Sequence, residues 1–151
     1  MALTFTNEHK GILPDRMIAA LATDGAILPA RPFAADQIQP ASLDLRLGTI
    51  AYRVRASFLP GRTTVKQRID DLKLHQFSLA DGAVLETGCV YIVPLLESLA
   101  LPKDVAAAAN PKSSTGRLDV FTRVIADETR GFDRIEAGYR GPLYAEISPR
   151  T

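Results

Sequence analysis

The chain has 151 residues, of which 46% are hydrophobic and 23% charged, and its formal net charge is +1. This length fits a single globular domain whose core can form without covalent staples. The near-neutral charge excludes a global basic field for nucleic acid, so phosphate binding would need a local cluster. A single cysteine, Cys89, excludes a disulfide framework.

Candidate zinc ligands of the N/S type are few, because the sequence holds only His9, His75 and Cys89. A structural zinc site usually takes four such ligands, so none is expected. No apolar run approaches about 18 residues and no signal core begins the chain, which predicts a cytoplasmic protein. The sequence stops directly after a strand-like run, so we expect residues 1–151 to be one domain truncated from a longer polypeptide.

The first predicted element is a helix over residues 14–24. Pro14 suits its first turn, and Gly25 is a good C-terminal stop. The apolar side chains at helical spacing on one face are Met17, Ile18 and Leu21. A proline-rich loop is expected over residues 26–41.

Two strands and a second helix are predicted next. Residues 42–48 alternate between apolar and polar, which is typical of a half-buried strand, here ended by Gly48. The apolar face would carry Leu43, Leu45 and Leu47, and the polar face Ser42, Asp44 and Arg46. A second strand is expected near 50–56, and the spacing of Val65, Ile69 and Leu72 predicts a helix over 63–72.

The middle of the chain favours β-structure. Residues 83–101 are rich in β-branched and apolar types, which predicts two or three strands with turns near 87–88 and 102–103. Pro94 inside this run indicates a sheet edge or a bulge. Residues 104–110 have the alanine content of a helix, but their place between strands favours a strand.

The last third is predicted as a helical turn at 112–118, a strand at 119–125, a loop at 126–134 and a strand at 142–148. Many short strands with turns about every 8–12 residues, together with few short helices, predict a mainly β fold. We expect a β-sandwich or barrel of distorted jelly-roll type.

The densest polar cluster is the run KSSTGR, residues 112–117. At the start of a helical turn, free backbone N–H groups and the partial positive charge attract an anion. The hydroxyls of Ser113 and Ser114 can donate to it, Lys112 adds charge, and Arg117 can hold phosphate with two parallel bonds. The same composition also fits an ordinary capped surface turn.

Two further candidates lie near the C-terminus. In RIEAGYRG, Glu136 could accept a sugar hydroxyl and Tyr139 offers a flat face, although a polar β-turn has the same composition. Period-two alternation over 143–147 places Tyr144 and Glu146 on the same face of a strand. Glu146 is either a solvated carboxylate or, on an enclosed face, a general base.

Taken in order, these segments resemble the deoxycytidine triphosphate deaminase family, whose fold is shared with the trimeric deoxyuridine triphosphatases. The resemblance runs from about Gly11 to Ser148. KSSTGR is similar to the family's R-S-S-x-x-R motif, and RIEAGYRG to its R-I-D-P-G-W-x-G motif. GILPDRMI, QPASLDLRLG and the strand PLYAEI are similar to further family segments.

The resemblance implies a role for each candidate. Nucleotide contacts would come from Lys112, Ser113, Ser114, Arg117, Arg134, Glu136 and Tyr139. The catalytic group would be Ser113, Arg117 and Glu146. Water would attack C4 of cytosine, and Glu146 would take its proton and return one to the ring nitrogen and the leaving ammonia.

The implied enzyme is a hydrolase that converts dCTP to dUTP and ammonia by cleaving a cyclic amidine C–N bond. The H-x-E and P-C-x-x-C signature of zinc-dependent base deaminases is absent, so the reaction would be zinc-free. Mg²⁺ would ride on the triphosphate. The expected partners are dCTP and either two more copies of the chain, in a homotrimer, or a downstream repeat in a pseudo-trimer, with no nucleic acid and no membrane.

The sequence departs from the family pattern at three positions, where Lys112, Glu136 and Tyr139 replace arginine, aspartate and tryptophan. The loop at 127–132 is longer than usual, and the whole most resembles the N-terminal half of the long two-part variant. Two alternatives stay open. One is a deoxyuridine triphosphatase that releases pyrophosphate, with Glu136 matching its catalytic aspartate, and the other is a non-catalytic scaffold domain of a longer deaminase.

Overall fold

The computed structural model describes residues 10–151, so His9 lies outside the described part. Its helices are α1 Asp15–Thr23, α2 Val65–Leu72 and α3 Ser113–Arg117. Its strands are β1 Ile27–Pro29, β2 Ile38–Gln39, β3 Ser42–Leu43, β4 Ile50–Val54, β5 Lys73–Ser78, β6 Val90–Ala100, β7 Ala107–Ala108, β8 Val120–Ala126, β9 Arg134–Ile135 and β10 Arg140–Pro149. The mainly β class expected from the sequence is confirmed.

An antiparallel sheet organises the domain, with strand order β5-β4-β6-β10-β8 and with β1 pairing on β6. The pairs β2-β3 and β7-β9 lie outside this sheet. Strand β10 runs between β6 and β8, and residues 143–149 are all buried. A side chain on β10 is therefore covered by both neighbouring strands and by whatever packs on its face.

The core lies on both sides of β10. Helix α2 and Phe58 pack with Ile92, Ile125 and Tyr144. A second cluster joins α1 to β1 and to Leu143. Because successive residues of a strand point to opposite faces, Tyr144 and Glu146 share the face that α2 covers.

Several predicted elements are confirmed. Helices α1, α2 and α3 lie where the periodicity placed them, and Met17, Ile18 and Leu21 are the buried face of α1. The end of α1 at Gly25 has a φ of 78°, a conformation that glycine adopts without strain. Strands β4, β8 and β10 also fall within two or three residues of their predicted bounds.

The predicted strand at 42–48 is wrong beyond Leu43. Asp44 N donates to Gln37 O, and Arg46 N donates to the carboxylate of Glu97, so side chains and a loop replace a regular partner strand. Leu47 keeps only an isolated bridge to Leu95 and is exposed, whereas Leu43 and Leu45 pack on the core.

Four strands were missed, and one region was divided into too many strands. Strands β1 and β2 lie within the predicted loop at 26–41, β9 begins at the end of the predicted loop at 126–134, and β5 was not predicted. Strands β1, β2 and β9 have only two or three residues, and β5 has no regular alternation of burial. The run 83–101 contains one strand, β6, not two or three. The bulge expected at Pro94 is confirmed, because the register against β10 shifts between Pro142 and Tyr144, opposite Pro94.

None of the helices among the described residues is long and apolar enough to cross a membrane.

Candidate active site

Glu146 is a buried carboxylate at the centre of the sheet. The register aligns it with Ile92 on one side and Arg123 on the other, and Tyr52 continues the same row on β4. Only 2% of the residue is exposed. The burial of an ionised carboxylate is unfavourable unless partners compensate it, so its contacts define the local chemistry.

Two side chains hold the two oxygens of this carboxylate. The hydroxyl of Ser57, which follows β4, donates to Oε2 over 2.7 Å. Nη2 of Arg123 lies 3.3 Å from Oε1. An ionised carboxylate offers about four acceptor positions, so each oxygen can accept a further hydrogen bond.

Aromatic rings surround the guanidinium of Arg123. Its Cζ lies 3.9 Å from the ring centre of Phe132 and 4.6 Å from that of Phe121. Phe121 lies two residues before Arg123 on β8, whereas Phe132 comes from the long loop between β8 and β9. The arginine therefore joins this loop to Glu146.

The KSSTGR segment forms α3, a single turn on the surface beside β8. Lys112 is its N-cap, and the main-chain carbonyl of Lys112 accepts from Thr115 N and Gly116 N. Ser113, Ser114 and Arg117 are exposed. Their hydroxyls and guanidinium are therefore free to meet a ligand from solvent.

Lys112 links this turn to the QPASLDLRLG segment. Its ammonium lies 2.6 Å from Oδ2 of Asp44, and this hydrogen bond with its ion pair raises the pKa of the lysine above the usual value. The lysine is mostly exposed, so it stays charged near neutral pH and can also face a phosphate.

A cleft of about 250 Å³ separates α3 from β8. The residues that line it are Pro111, Gly116, Asp119, Val120, Phe121, Thr122, Arg123 and Asp133. Arg123 borders this cleft and also reaches Glu146. Arg123 thus lies between the cleft beside α3 and the carboxylate of Glu146.

The RIEAGYRG segment occupies a different place. Arg134 and Glu136 are exposed, with Arg134 on β9 paired opposite Ala108. Within residues 10–151, no hydrogen bond or ion pair connects either side chain, or those of α3, to Glu146. Within one copy of the chain, Arg123 and Ser57 contact Glu146, whereas the predicted site residues of α3 and of RIEAGYRG do not.

Tyr139 is used inside the protein. Its hydroxyl donates to Pro142 O over 2.6 Å and accepts from Asp127 N over 3.0 Å. Burial raises the pKa of this tyrosine to about 12. A Cβ on Gly141 would lie 2.8 Å from the hydroxyl, so the glycine of the Y-x-G sequence makes this contact possible.

Four side chains that contact Glu146 or its arginine were missed by sequence reasoning: Arg123, Ser57, Phe121 and Phe132. Arg123 had a usable signal, since it shares a face of β8 with Phe121 at period two. Phe132 was noticed only as part of a long loop. Ser57 had no signal, because it reaches Glu146 across 89 residues of sequence.

The similarity to known proteins covers all the segments described above. The family model described as "2'-deoxycytidine 5'-triphosphate deaminase (DCD) N-terminal domain" matches residues 9–151. A crystal structure of 2'-deoxycytidine 5'-triphosphate deaminase from Agrobacterium tumefaciens superimposes with a TM-score of 0.91 at 62% identity. It aligns with 93% of this chain, which spans 42% of that protein.

Curated relatives extend the match. A protein from Corynebacterium kroppenstedtii is 35% identical over 138 residues, 91% of this chain and 70% of the relative. One from Methanoculleus marisnigri is 33% identical over 118 residues, 77% of this chain and 58% of the relative. Both are named "dCTP deaminase, dUMP-forming". Their names give dUMP, not the dUTP expected from the sequence.

Fold and matches together define a β domain of the deoxyuridine triphosphatase-like type. The chain belongs to the dCTP deaminase family, and the region matched is that family's N-terminal domain.

Proposed function

We propose that this domain binds dCTP and deaminates its base without zinc. The reaction takes one water and gives dUTP and ammonia. The observation that carries the proposal is the family match over residues 9–151, which includes every candidate site residue. The names of the relatives from Agrobacterium, Corynebacterium and Methanoculleus support the choice of dCTP.

Glu146 is the general base of the proposed reaction. Ser57 and Arg123 fix its two oxygens, so the carboxylate can accept a water proton in a defined direction. Water then adds at C4 of cytosine as Glu146 takes its first proton and passes it to the ring nitrogen. The hydroxyl now on C4 gives up the second proton, which Glu146 passes to the amino group as the C4–N bond breaks, C4=O forms and ammonia leaves.

The triphosphate would lie against α3. Lys112 and Arg117 supply positive charge there, and the exposed hydroxyls of Ser113 and Ser114 supply donors. Mg²⁺ would arrive with the triphosphate as part of the substrate. Arg134 and Glu136 would contact the same nucleotide.

The site needs more than one copy of this domain, or a downstream repeat. Within one chain, the exposed side chains of Ser113, Arg134 and Glu136 make no contact with Glu146. A homotrimer or a pseudo-trimer would bring the two groups to one nucleotide. We propose this assembly as the active form.

A second candidate function extends the first. The dUMP-forming names favour a further hydrolysis, in which a second water attacks the α-phosphate of dUTP and releases pyrophosphate. Overall, dCTP and two waters would give dUMP, ammonia and pyrophosphate. Glu136 is the candidate base for this step, because it corresponds best to the catalytic aspartate of the deoxyuridine triphosphatases.

Product analysis separates these functions. Purified protein is incubated with dCTP and Mg²⁺, ammonia is measured, and dUTP, dUMP and pyrophosphate are separated by ion exchange. Glu146→Gln should abolish ammonia release, whereas Glu136→Gln should abolish pyrophosphate and leave ammonia. Equal ammonia release by Glu146→Gln and the parent would rule out the proposed base.

The scaffold alternative needs a binding measurement. Calorimetry with dCTP should show binding by this chain, and Glu146→Gln should bind with similar affinity. If this chain does not bind dCTP and a longer chain does, the domain is a scaffold, and the proposal that it is itself an enzyme is refuted.

A further inference from the structure

We propose that Arg123 is the positioning residue of Glu146, and that the long loop between β8 and β9 acts on the site through this arginine. The inference rests on the proposed function for the role of Glu146 as a base. The proposed link runs from Phe132 through Arg123 to the carboxylate of Glu146.

The carboxylate depends on Arg123 for its charge partner. Among residues 10–151, Arg123 is the one cationic side chain that forms an ion pair with Glu146, over 3.3 Å. The carboxylate is nearly buried, so loss of this cation would leave it with only the hydroxyl of Ser57. A buried charge without a partner is strongly unfavourable.

The two rings restrict the arginine. A guanidinium stacks on aromatic faces. Because it is planar, an arginine side chain loses less conformational entropy per hydrogen bond than a lysine side chain does. At 3.9 Å and 4.6 Å from the two ring centres, Arg123 is restrained on two sides. Its Nη2 is therefore held towards Oε1 of Glu146.

The loop is itself fixed to β8 beside Arg123. Asp133 N donates to Val124 O over 2.9 Å, and Asp133 Oδ1 accepts from Val124 N over 2.7 Å. Asp133 adopts a φ of 60°, in the left-handed region that aspartate enters more readily than most non-glycine residues. These bonds place Phe132 against the arginine, which gives the extra loop length a function.

A double-mutant cycle tests the link. Arg123→Gln is made in the parent, where ammonia release from dCTP is measured with KM and kcat separated, and in Glu146→Gln, where unfolding is measured because that variant should release no ammonia. We expect Arg123→Gln to lower kcat by about 10²-fold with KM near that of the parent, the size of loss seen when a reacting group is misplaced. In the Glu146→Gln background the same change should cost less free energy of unfolding than in the parent. Arg123→Lys, which keeps the charge but not the planar fork, should restore part of kcat.

Arg150 provides a matched control. Its Cζ lies 5.6 Å from the ring centre of the same Phe121, and the residue is exposed. Arg150→Gln should leave kcat unchanged. If Arg123→Gln unfolds the protein, Phe132→Leu keeps the arginine and should still lower kcat at constant KM.

The same cycle measured by thermal unfolding needs no catalysis. Coupling between Arg123 and Glu146 in unfolding, with no ammonia released by the parent, would refute the proposed function but keep the positioning link. An active parent with additive losses in the cycle, or with kcat unchanged by Arg123→Gln, would overturn the link itself. Absence of both activity and coupling would overturn both.

Discussion

Replacement of Glu97 by alanine should destabilise the domain more than any other single loss of charge. Glu97 is fully buried on β6, with 0% exposed. Its carboxylate accepts from Nε of Arg46 over 2.7 Å, from Arg46 N over 2.9 Å and from Nε2 of Gln37 over 2.7 Å. Glu97→Ala leaves three donors without an acceptor.

The expected loss follows from the burial of this pair. Removal of one partner of a buried ion pair costs about 3–5 kcal/mol. The side chain of Arg46 is 25% exposed, so water can rehydrate part of it, and we expect about 3 kcal/mol. The control is Glu86→Ala, which breaks a pair with Arg53 in which Glu86 is 63% exposed and should cost less than about 1 kcal/mol.

Urea unfolding followed by circular dichroism measures both free energies. The network also holds the loop that carries Asp44, because Nε2 of Gln37 donates to Asp44 O over 2.8 Å and the main-chain N of Arg46, two residues further on, donates to Glu97. Asp44 pairs with Lys112, the N-cap of α3, which we propose to bind the triphosphate, so we expect weaker dCTP binding as well. If Glu97→Ala costs no more than Glu86→Ala, the buried network does not hold this loop.

Tyr139→Phe removes two main-chain hydrogen bonds and should cost about 1–3 kcal/mol in thermal unfolding; an unchanged melting temperature would contradict this. An unfolded tyrosine loses its proton near pH 10, whereas burial raises the pKa of Tyr139 to about 12. The stability from this group is therefore complete below pH 10 and falls between about pH 10 and 12. In Tyr139→Phe the loss of stability above pH 10 should be smaller. The loss that remains would come from Tyr144, because burial raises the pKa of that tyrosine too. Gly48→Ala would place a Cβ 2.6 Å from Pro94 O and should lower the free energy of unfolding by about 1–3 kcal/mol. In the control, Gly116→Ala, the added Cβ meets nothing within 4 Å, so this change should be neutral or stabilising. Equal melting temperatures of the two variants would exclude the clash at Gly48.

Local pattern predicted the elements whose apolar residues recur at a regular period. The buried face of α1 and the shared face of Tyr144 and Glu146 on β10 each follow from one period along the chain, and both were right. Strand β5 has an irregular pattern of burial because it lies at the sheet edge, so no period marks it. The segment after Leu43 has a regular period but no matching strand, since Arg46 turns to Glu97.

The candidate site was predictable only where its residues lie in one segment. KSSTGR and the strand of Glu146 stand out by composition and by resemblance. The partners of Glu146 do not, because Ser57 and Phe132 reach it or its arginine from loops. Contacts of this kind depend on how the loops fold back onto the sheet, which no local period records.

A crystal structure of Glu146→Gln with dCTP and Mg²⁺ tests the central claim most directly. We predict a triphosphate held by the backbone and hydroxyls of Ser113 and Ser114, with C4 of the cytosine facing residue 146 of the same or a neighbouring copy. A nucleotide whose base lies away from residue 146 in every copy would contradict the account.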